Sequence, residues 1–151
     1  MCWLSVTDFK IPVSVLVVVH TSDLQVLLME RADAPGFWQS VTGSQDAGET
    51  LDQTAIREVH EETGLDTARF DLRDWAIETR YENYERWQHR YAEGITHNSE
   101  HVFGLCLPSV QTITLSPREH LHYAWLPWQM AAEQCFSPSN AAAIRLLPSH
   151  L

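Results

Sequence analysis

The sequence has few cysteines, and none of them form a pair with metal-ligand spacing. Cys2, Cys106 and Cys135 are the three cysteines of the 151-residue chain. An odd number of widely spaced thiols argues against a disulfide framework and against a structural zinc site. This usage is typical of a reducing compartment, so we expect a cytoplasmic protein.

Long apolar runs are also missing. The longest, at residues 13–19 (VSVLVVV), is interrupted by a serine and is far shorter than the roughly 20 residues that a membrane span needs. The first ten residues (MCWLSVTDFK) do not combine a basic segment with an apolar one, so we expect no signal peptide. These absences predict a soluble protein that does not act at a membrane.

Basic residues are scarce. Ten Lys and Arg stand against 20 Asp and Glu, which gives a formal net charge of -10. We therefore expect no binding to nucleic acid, whose phosphates this protein would repel. A small anionic substrate would need a few well-placed cationic side chains or a bound metal ion. We predict no partner protein.

The apolar content and its periodicity indicate one globular domain over residues 1–151. With 44% hydrophobic and 20% charged residues, the chain can bury a single core. Residues 13–19 predict a strand buried on both faces, and residues 25–29 predict its hairpin partner. Further strands are expected at 75–80, 100–107 and 123–126.

A helical period is clearest between Thr50 and Thr63. Its apolar stripe is Leu51, Ala55, Ile56 and Val59. Thr50 is the expected N-cap, and Gly64 is the expected stop. Two later helices are expected at 127–135 and 139–147, the second capped by Ser139. Strands on both sides of one strong helix, with a late helix to cover the other face, predict an α/β fold, a three-layer α/β/α sandwich.

Three glutamates occupy unfavourable positions on the first helix. Glu58, Glu61 and Glu62 stand at i, i+3 and i+4, so they project from one side and repel one another. They also lie near the helix C-terminus, where negative charge is disfavoured. A hard divalent cation such as Mg²⁺ would remove this repulsion. The alternative is a solvated face of an amphipathic helix, which an isolated E-x-x-E-E would favour.

The spacing around these glutamates extends over residues 43–65, which read GSQDAGETLDQTAIREVHEETGL. The pattern is Gly, five residues, Glu, seven residues, and then Arg-Glu-apolar-x-Glu-Glu-x-Gly-apolar. The residues that carry it are Gly43, Glu49, Arg57, Glu58, Val59, Glu61, Glu62, Gly64 and Leu65. This segment resembles the Nudix box at every position, and the chain is identified as a member of the Nudix hydrolase family. The resemblance implies the family's α/β/α sandwich with a mixed β-sheet.

The resemblance also implies a metal-dependent pyrophosphohydrolase. In this family, water attacks a phosphorus of a nucleoside-diphosphate-linked compound. Glu58, Glu61 and Glu62 would be the metal ligands, binding Mg²⁺ or, in its place, Mn²⁺. One of the box carboxylates would orient or deprotonate the attacking water.

Three further box residues are expected to shape the catalytic loop. Arg57 would form an ion pair with Glu49 and so hold the loop on the helix. Gly43 would allow a tight turn where the backbone approaches the phosphates. We count Arg57 and Glu49 with the catalytic set.

Segments outside the box resemble those of the bacterial dihydroneopterin triphosphate pyrophosphatases, a branch of this family. They are residues 12–18, Arg31 with FWQSVTG at 37–43, HRYAEGITHNSE at 89–100 and EHLHYAWL at 119–126. This narrower resemblance implies removal of pyrophosphate from 7,8-dihydroneopterin 3′-triphosphate. The remaining monophosphate would serve folate biosynthesis.

The same resemblance implies a set of substrate-binding residues. Glu119 would be a further metal ligand and a substrate contact. The residues expected at the triphosphate or its tail are Lys10, Arg31, Thr42 and Gly43. The pterin side would be lined by Tyr81, Glu82, Asn83 and Tyr84, whose aromatic rings can stack on a flat heterocycle. At the start of the last helix, Ser139 and Asn140 would offer polar groups to the ligand. Ordinary solvated positions remain an alternative for Lys10 and Arg31.

Other aromatic and histidine residues are given packing roles or none. We expect Trp38, Trp125 and Trp128 in the core or at its rim. His120 and His122 lack a third ligand at suitable spacing, so no zinc site is predicted.

Two other functions remain open. The box specifies the reaction class, so a nucleoside triphosphate pyrophosphohydrolase acting on dATP or 8-oxo-dGTP is an alternative. A non-catalytic Nudix-fold ligand sensor is a third hypothesis, which the complete set of acidic box positions disfavours.

Overall fold

A computed structural model describes residues 9–151; Cys2 and most of the segment considered for a signal peptide lie outside this range. The strands are β1 (Val13–Thr21), β2 (Gln25–Arg31), β3 (Trp38–Gln39), β4 (Val41–Ser44), β5 (Asp71–Glu82), β6 (His97–Leu107) and β7 (His120–Pro127). The α-helices are α1 (Leu51–Thr63), α2 (Trp128–Gln134) and α3 (Pro138–Arg145). Short 3₁₀ turns cover Thr67–Arg69, Glu85–Arg90 and Leu147–His150.

The strands form one mixed sheet centred on β1. This strand pairs in parallel with β6 along its whole length and antiparallel with β2 and β4. β2 also pairs antiparallel with β3 and β7, and β6 pairs antiparallel with β5. The predicted hairpin of the first two strands is present, joined at His20 and Val26.

Helices cover both faces of the sheet because β1 alternates its side chains between them. Val15, Val17 and Val19 pack with Ala55 and Val59 of α1. On the opposite face, Leu16 and Val18 pack with side chains of α2 and α3, namely Ala131, Ala132, Ala143 and Ile144. The predicted α/β/α sandwich with a mixed sheet is therefore confirmed.

The three tryptophans expected in packing roles are partly buried against this core. Trp125 packs on the α1 side of the sheet. Trp38 and Trp128 pack on the α2 and α3 side. Because aromatic side chains bury large apolar areas, they stabilise the two layers at their rims.

Helix α1 begins and ends where the sequence predicts. The Thr50 hydroxyl accepts from the Gln53 N–H at 3.1 Å, and the Gln53 side chain accepts from the Thr50 N–H at 2.9 Å. Gly64 has φ of 76° and donates its N–H to the carbonyl of His60, which ends the helix. The prediction for Ile56 is wrong, because its side chain is 45% exposed and lies beside the apolar stripe.

Several element boundaries differ from the predictions by a few residues, and two of the differences have a clear physical cause. β5 is an edge strand whose alternation of exposed polar and half-buried residues continues from Asp71 to Glu82, well beyond 75–80. Helix α3 is capped by Ser137, whose hydroxyl accepts from the Asn140 N–H at 3.3 Å, so the prediction of Ser139 as cap is wrong. Pro138 fills the first helical position, where its missing N–H costs nothing.

Within residues 9–151, Cys106 and Cys135 are free thiols. None of the helices in this range combines the length and the apolar character that crossing a membrane would require.

Candidate active site

A cavity of about 880 Å³ lies between the loop that follows β4, the 81–91 segment and the start of α3. From the predicted set, it is lined by Lys10, Arg31, Thr42, Gly43, Glu58, Glu62, Tyr81, Asn83, Tyr84, Glu119 and Asn140. Five predicted residues do not line it: Glu49, Arg57, Glu61, Glu82 and Ser139. The fold thus brings the box carboxylates and the distant substrate-side segments into one space.

The Glu58 carboxyl group packs directly against the backbone of β4 at Gly43. A Cβ built on Gly43 would lie 2.1 Å from Cδ of Glu58. Gly43 is a strand residue without a left-handed φ, so the prediction of a tight turn there is wrong. The missing side chain instead makes room for a carboxylate.

Glu58 and Glu62 form a buried carboxyl pair. They are 7% and 1% exposed, and each affects the pKa of the other. Burial, followed by the neighbouring Glu58, raises the pKa of Glu62 well above its usual range. Burial also raises the pKa of Glu58, against the opposing effects of Glu62 and Arg57. Burial therefore favours the protonated form of Glu62 in the ligand-free protein.

The oxygen chemistry of this pair fits a hard divalent cation. Oε1 of Glu62 is buried and has no hydrogen-bond partner among the described residues. The charge of Glu119, which also lines the cavity, raises the pKa of Glu62 further. Converging carboxylate oxygens with an unused lone pair are the ligands that Mg²⁺ prefers. Among the described residues, no three His, Cys, Asp or Glu side chains lie close enough together to bind one metal ion.

Glu61 is set apart from this pair. Its side chain is 49% exposed and accepts from Arg57 at 3.3 Å. The i+3 spacing brings it to the rim of the helix face, while the i+4 spacing turns Glu62 fully inward. The three box glutamates are therefore not equivalent in the structure.

Arg57 ties the loop to the helix. It donates to both carboxylate oxygens of Glu49 at 2.7 and 2.9 Å, to the carbonyl of Ser44 at 3.0 Å and to Oε1 of Glu58 at 2.7 Å. The Arg57 hydrogen bond lowers the pKa of Glu49 to about 2. The expected ion pair with Glu49 is present, and it also fixes the orientation of Glu58.

Cationic side chains gather on another part of the cavity wall. Lys10, Arg31 and Arg90 all line it. Burial, with help from the charges of Arg90 and Arg31, lowers the pKa of Lys10 to about 8. Arg31 donates to both oxygens of Asp33 at 2.7 and 2.8 Å and lies 4.1 Å above the ring of Trp87. This cluster supplies the local positive charge that an acidic protein needs for an anionic ligand.

Aromatic rings form a continuous wall beside these cations. Tyr84, Trp87 and Phe136 lie with ring centroids 5.6 to 5.9 Å apart, and Tyr81 lies 6.1 Å from Tyr84. Strand alternation at the end of β5 turns Tyr81 inward and leaves Glu82 exposed. The wall offers flat faces to a planar ring.

The start of α3 contributes differently from the prediction. Ser137 lines the cavity, whereas the Ser139 hydroxyl donates to Oε1 of Glu100 at 3.0 Å. The Asn140 side chain holds Ser40, accepting from its N–H at 2.8 Å and donating to its hydroxyl at 2.9 Å. A Ser-Pro pair at a helix start is the sequence signal that would have pointed to Ser137.

His120 and His122 point to opposite sides of β7. His122 is exposed and contacts Glu30 at 2.8 Å, whereas His120 is 4% exposed and lies 3.8 Å from Oε1 of Glu62. Burial, with a contribution from Arg31, lowers the pKa of His120 to about 4. His120 is therefore neutral at pH 7 and forms no ion pair with Glu62.

Several cavity residues were given no individual role by the sequence analysis, although six of them lie in the segments that carry the resemblance. The whole set is Gln39, Trp87, Arg90, Tyr91, Asn98, Glu100, Arg118, His120, Phe136 and Ser137. Of these, Asn98 and Glu100 carried a readable signal. They share the buried face of β6 with Val102, and polar residues are unusual on such a face.

Residues 10–147 match the model of the NUDIX domain. The chain is 44% identical over 139 residues to the dihydroneopterin triphosphate diphosphatase of Escherichia coli (strain K12). That alignment covers 90% of this chain and 91% of the E. coli protein. The enzyme of the same name from Haemophilus influenzae is 42% identical, and the alignment covers 91% of this chain and 88% of that protein. The solved E. coli dihydroneopterin triphosphate pyrophosphohydrolase matches with a TM-score of 0.89 at 42% identity, over 95% of this chain and 99% of that one. This chain belongs to the NUDIX domain family.

Proposed function

We propose that this protein hydrolyses 7,8-dihydroneopterin 3′-triphosphate to dihydroneopterin monophosphate and pyrophosphate. The observation that carries the proposal is the 44% identity, over 90% of the chain, to a protein named for this substrate. The cavity supports it, because carboxylates, cations and aromatic rings line one space large enough for the substrate. The proposed setting is the cytoplasm, and the product would serve folate biosynthesis.

The cationic cluster would bind the triphosphate. Lys10 lies within the fields of Arg31 and Arg90 as well as those of Glu58 and Glu62. It lines the same cavity as both the cationic cluster and the carboxyl pair. Guanidinium groups form bidentate hydrogen bonds to phosphate oxygens, and Lys supplies a compact charge. Arg31 can present its remaining N–H groups while Asp33 and Gln39 hold the side chain in place.

The carboxyl pair and Glu119 would hold the divalent cation, which we take to be Mg²⁺, with Mn²⁺ able to substitute. A cation bound there neutralises charge on the phosphoryl oxygens and favours deprotonation of water. Arg57 keeps the Glu58 carboxylate in position and links it to Glu61. One of the box carboxylates would accept the proton of the attacking water.

The aromatic wall would receive the heterocycle. Tyr81, Tyr84 and Phe136 offer ring faces, and the backbone of the 83–96 segment is fixed by the Asn83 N–H, which donates to the Thr96 carbonyl at 2.8 Å. A planar bicyclic ring gains stacking energy on such faces. No nucleic acid, membrane or partner protein is required by this proposal.

The test is a substrate panel with purified protein and Mg²⁺. We expect dihydroneopterin triphosphate to give a higher kcat/KM than dATP or 8-oxo-dGTP, with pyrophosphate rather than orthophosphate released. Chelation of the metal and Glu62→Gln should each abolish the reaction, whereas Glu133→Gln, on an exposed face of α2, should not. A higher kcat/KM for dATP would replace the proposal with the nucleotide-pool alternative. Equal turnover by wild type and Glu62→Gln would instead favour a ligand sensor.

A further inference from the structure

Glu100 is a buried carboxyl group that the hydrolytic machinery does not use. It lies on β6, is 4% exposed and lines the cavity. The Ser139 hydroxyl donates to its Oε1 at 3.0 Å. Burial raises the pKa of Glu100 to about 7, against the opposing effect of Ser139. Buried carboxyl groups are costly unless they are paired, which calls for a partner at this position.

Two buried amides in the same wall also have unused oxygen atoms. Asn98 donates from Nδ2 to the hydroxyls of Ser14 and Tyr81 at 2.7 and 3.2 Å. Asn83 donates from Nδ2 to the carbonyl of Ile95 at 3.3 Å. The Oδ1 atoms of both asparagines are buried and have no hydrogen-bond partner among the described residues. Both residues line the cavity.

Strand pairing places these groups together. Asn98 and Glu100 are two residues apart on the buried face of β6, so their side chains point the same way. Asn98 is the register partner of Tyr81 on β5, and Asn83 follows shortly after Tyr81 along the chain. This part of the wall therefore presents three groups with acceptor atoms beside an aromatic ring. A ligand that fits it must be rich in N–H donors.

We propose that Glu100, Asn98 and Asn83 form a specificity subsite for the donor edge of a 2-amino-4-oxo heterocycle. Such a ring carries a ring N–H next to an amino group, and the two donors lie parallel. A carboxylate accepts both at once, as it does from a guanidinium group. The inference rests on the proposed function, because the pterin ring of dihydroneopterin has this edge. The subsite adds to that function the residues that would recognise the ring through hydrogen bonds.

The same chemistry explains rejection of other rings. Adenine presents a ring-nitrogen acceptor where the 2-amino-4-oxo edge presents a donor. That acceptor would face the ionised Glu100, the form that pairing with two N–H donors requires, and neither group would have a proton to share. A site built to pair hydrogen bonds discriminates strongly against a ring that leaves its buried groups unpaired.

The experiment compares wild type with Glu100→Gln, which keeps the size of the side chain but replaces one acceptor by a donor. We expect kcat/KM for dihydroneopterin triphosphate to fall by about 10- to 100-fold, mainly through KM. The kcat/KM for dATP should stay within about threefold of wild type. This second substrate also reports that the variant is folded and that its hydrolytic residues are intact. Glu133→Gln is the matched control and should leave both values unchanged.

The outcomes separate this inference from the proposed function. If wild type prefers dihydroneopterin triphosphate and Glu100→Gln keeps that preference, the subsite is wrong while the proposed function stands. If wild type prefers dGTP, which carries the same donor edge, and Glu100→Gln removes that preference, the subsite stands and the proposed substrate is wrong. Preference of the wild type for dATP would overturn both. An equal loss on all substrates would assign Glu100 a structural role and overturn the subsite.

Discussion

At the scale of single residues, the contact between Gly43 and Glu58 decides whether the carboxyl pair can form. The Glu58 carboxyl group occupies the volume that any β-carbon on Gly43 would need. Arg57 holds the same carboxyl group from the other side at 2.7 Å. The side chain is thus fixed between a strand and an arginine, and it cannot move without breaking an ion pair.

Gly43→Ala tests this contact. With Cβ only 2.1 Å from Cδ of Glu58, the carboxylate must leave its position, and we expect kcat/KM to fall by at least about 100-fold. Gly36→Ala controls for a general loss of stability, because its Cβ meets nothing within 4 Å and its cost comes only from the left-handed φ of 90°. Steady-state kinetics and a calorimetric Mg²⁺ titration are the measurements. Wild-type Mg²⁺ affinity in Gly43→Ala would contradict this account of the contact.

The roles of some site residues could be predicted from the sequence, and those of others could not. The box positions were identifiable because spacing along one helix determines which of them share a face, as for Glu58 and Glu62. The alternation along β6 indicates that Glu100 is buried, but its role was not identifiable, because the groups around it come from β5 and from the start of α3. Gly43 was placed correctly and explained wrongly. Local sequence does not show which distant side chain will approach a glycine.

At the scale of elements, those defined by local signals were predicted best. The bounds of α1 follow from a capping box at Thr50 and a glycine at its end, and both are local. The length of β5 was underestimated because the strand contains a bulge between Asp74 and Ile77, where Ala76 takes φ of 57°. Pairing with β6 continues through this irregularity. Only the partner strand, distant in sequence, determines that continuation.

The end of α1 allows a test of element stability. Gly64 has φ of 76°, and a Cβ there would lie 3.1 Å from Cβ of Thr114. We expect Gly64→Ala to lower the free energy of unfolding by about 1–3 kcal/mol, through the left-handed backbone and this contact. Gly94→Ala is the matched control, because its φ is 86° and its Cβ would meet nothing. Urea unfolding of both variants gives the difference. Equal losses would show that the Thr114 contact contributes nothing.

At the scale of the whole molecule, charge is divided unevenly. The chain carries a net charge of -10, yet Lys10, Arg31 and Arg90 line the same cavity as the carboxyl pair. Composition predicted the need for local cations, and the family resemblance implied Lys10 and Arg31. Arg90 was not identified. Its contact with Lys10, whose N–H donates to the Arg90 carbonyl at 2.8 Å, joins segments 80 residues apart.

The carboxyl pair links folding stability to pH and to metal. Burial raises the pKa of Glu62 above its value in the unfolded chain. The folded protein therefore binds an extra proton between the two pKa values. Without metal, this contribution makes stability fall as pH rises through that window. A divalent cation replaces the proton and removes the cost, so metal and proton compete for one site.

We therefore expect Mg²⁺ to stabilise the protein more at about pH 8 than at about pH 5, which is just above the usual pKa of a glutamate. At about 100 times its Kd, Mg²⁺ adds about 2.7 kcal/mol, or about 5–10 °C in Tm for a chain of this size. Thermal unfolding with and without Mg²⁺ at both pH values measures the effect. Glu62→Gln has no proton to displace and one ligand fewer, so its Mg²⁺ shift should be smaller and nearly independent of pH. A shift in the variant as large and as pH-dependent as in wild type would place the cation elsewhere, away from Glu62.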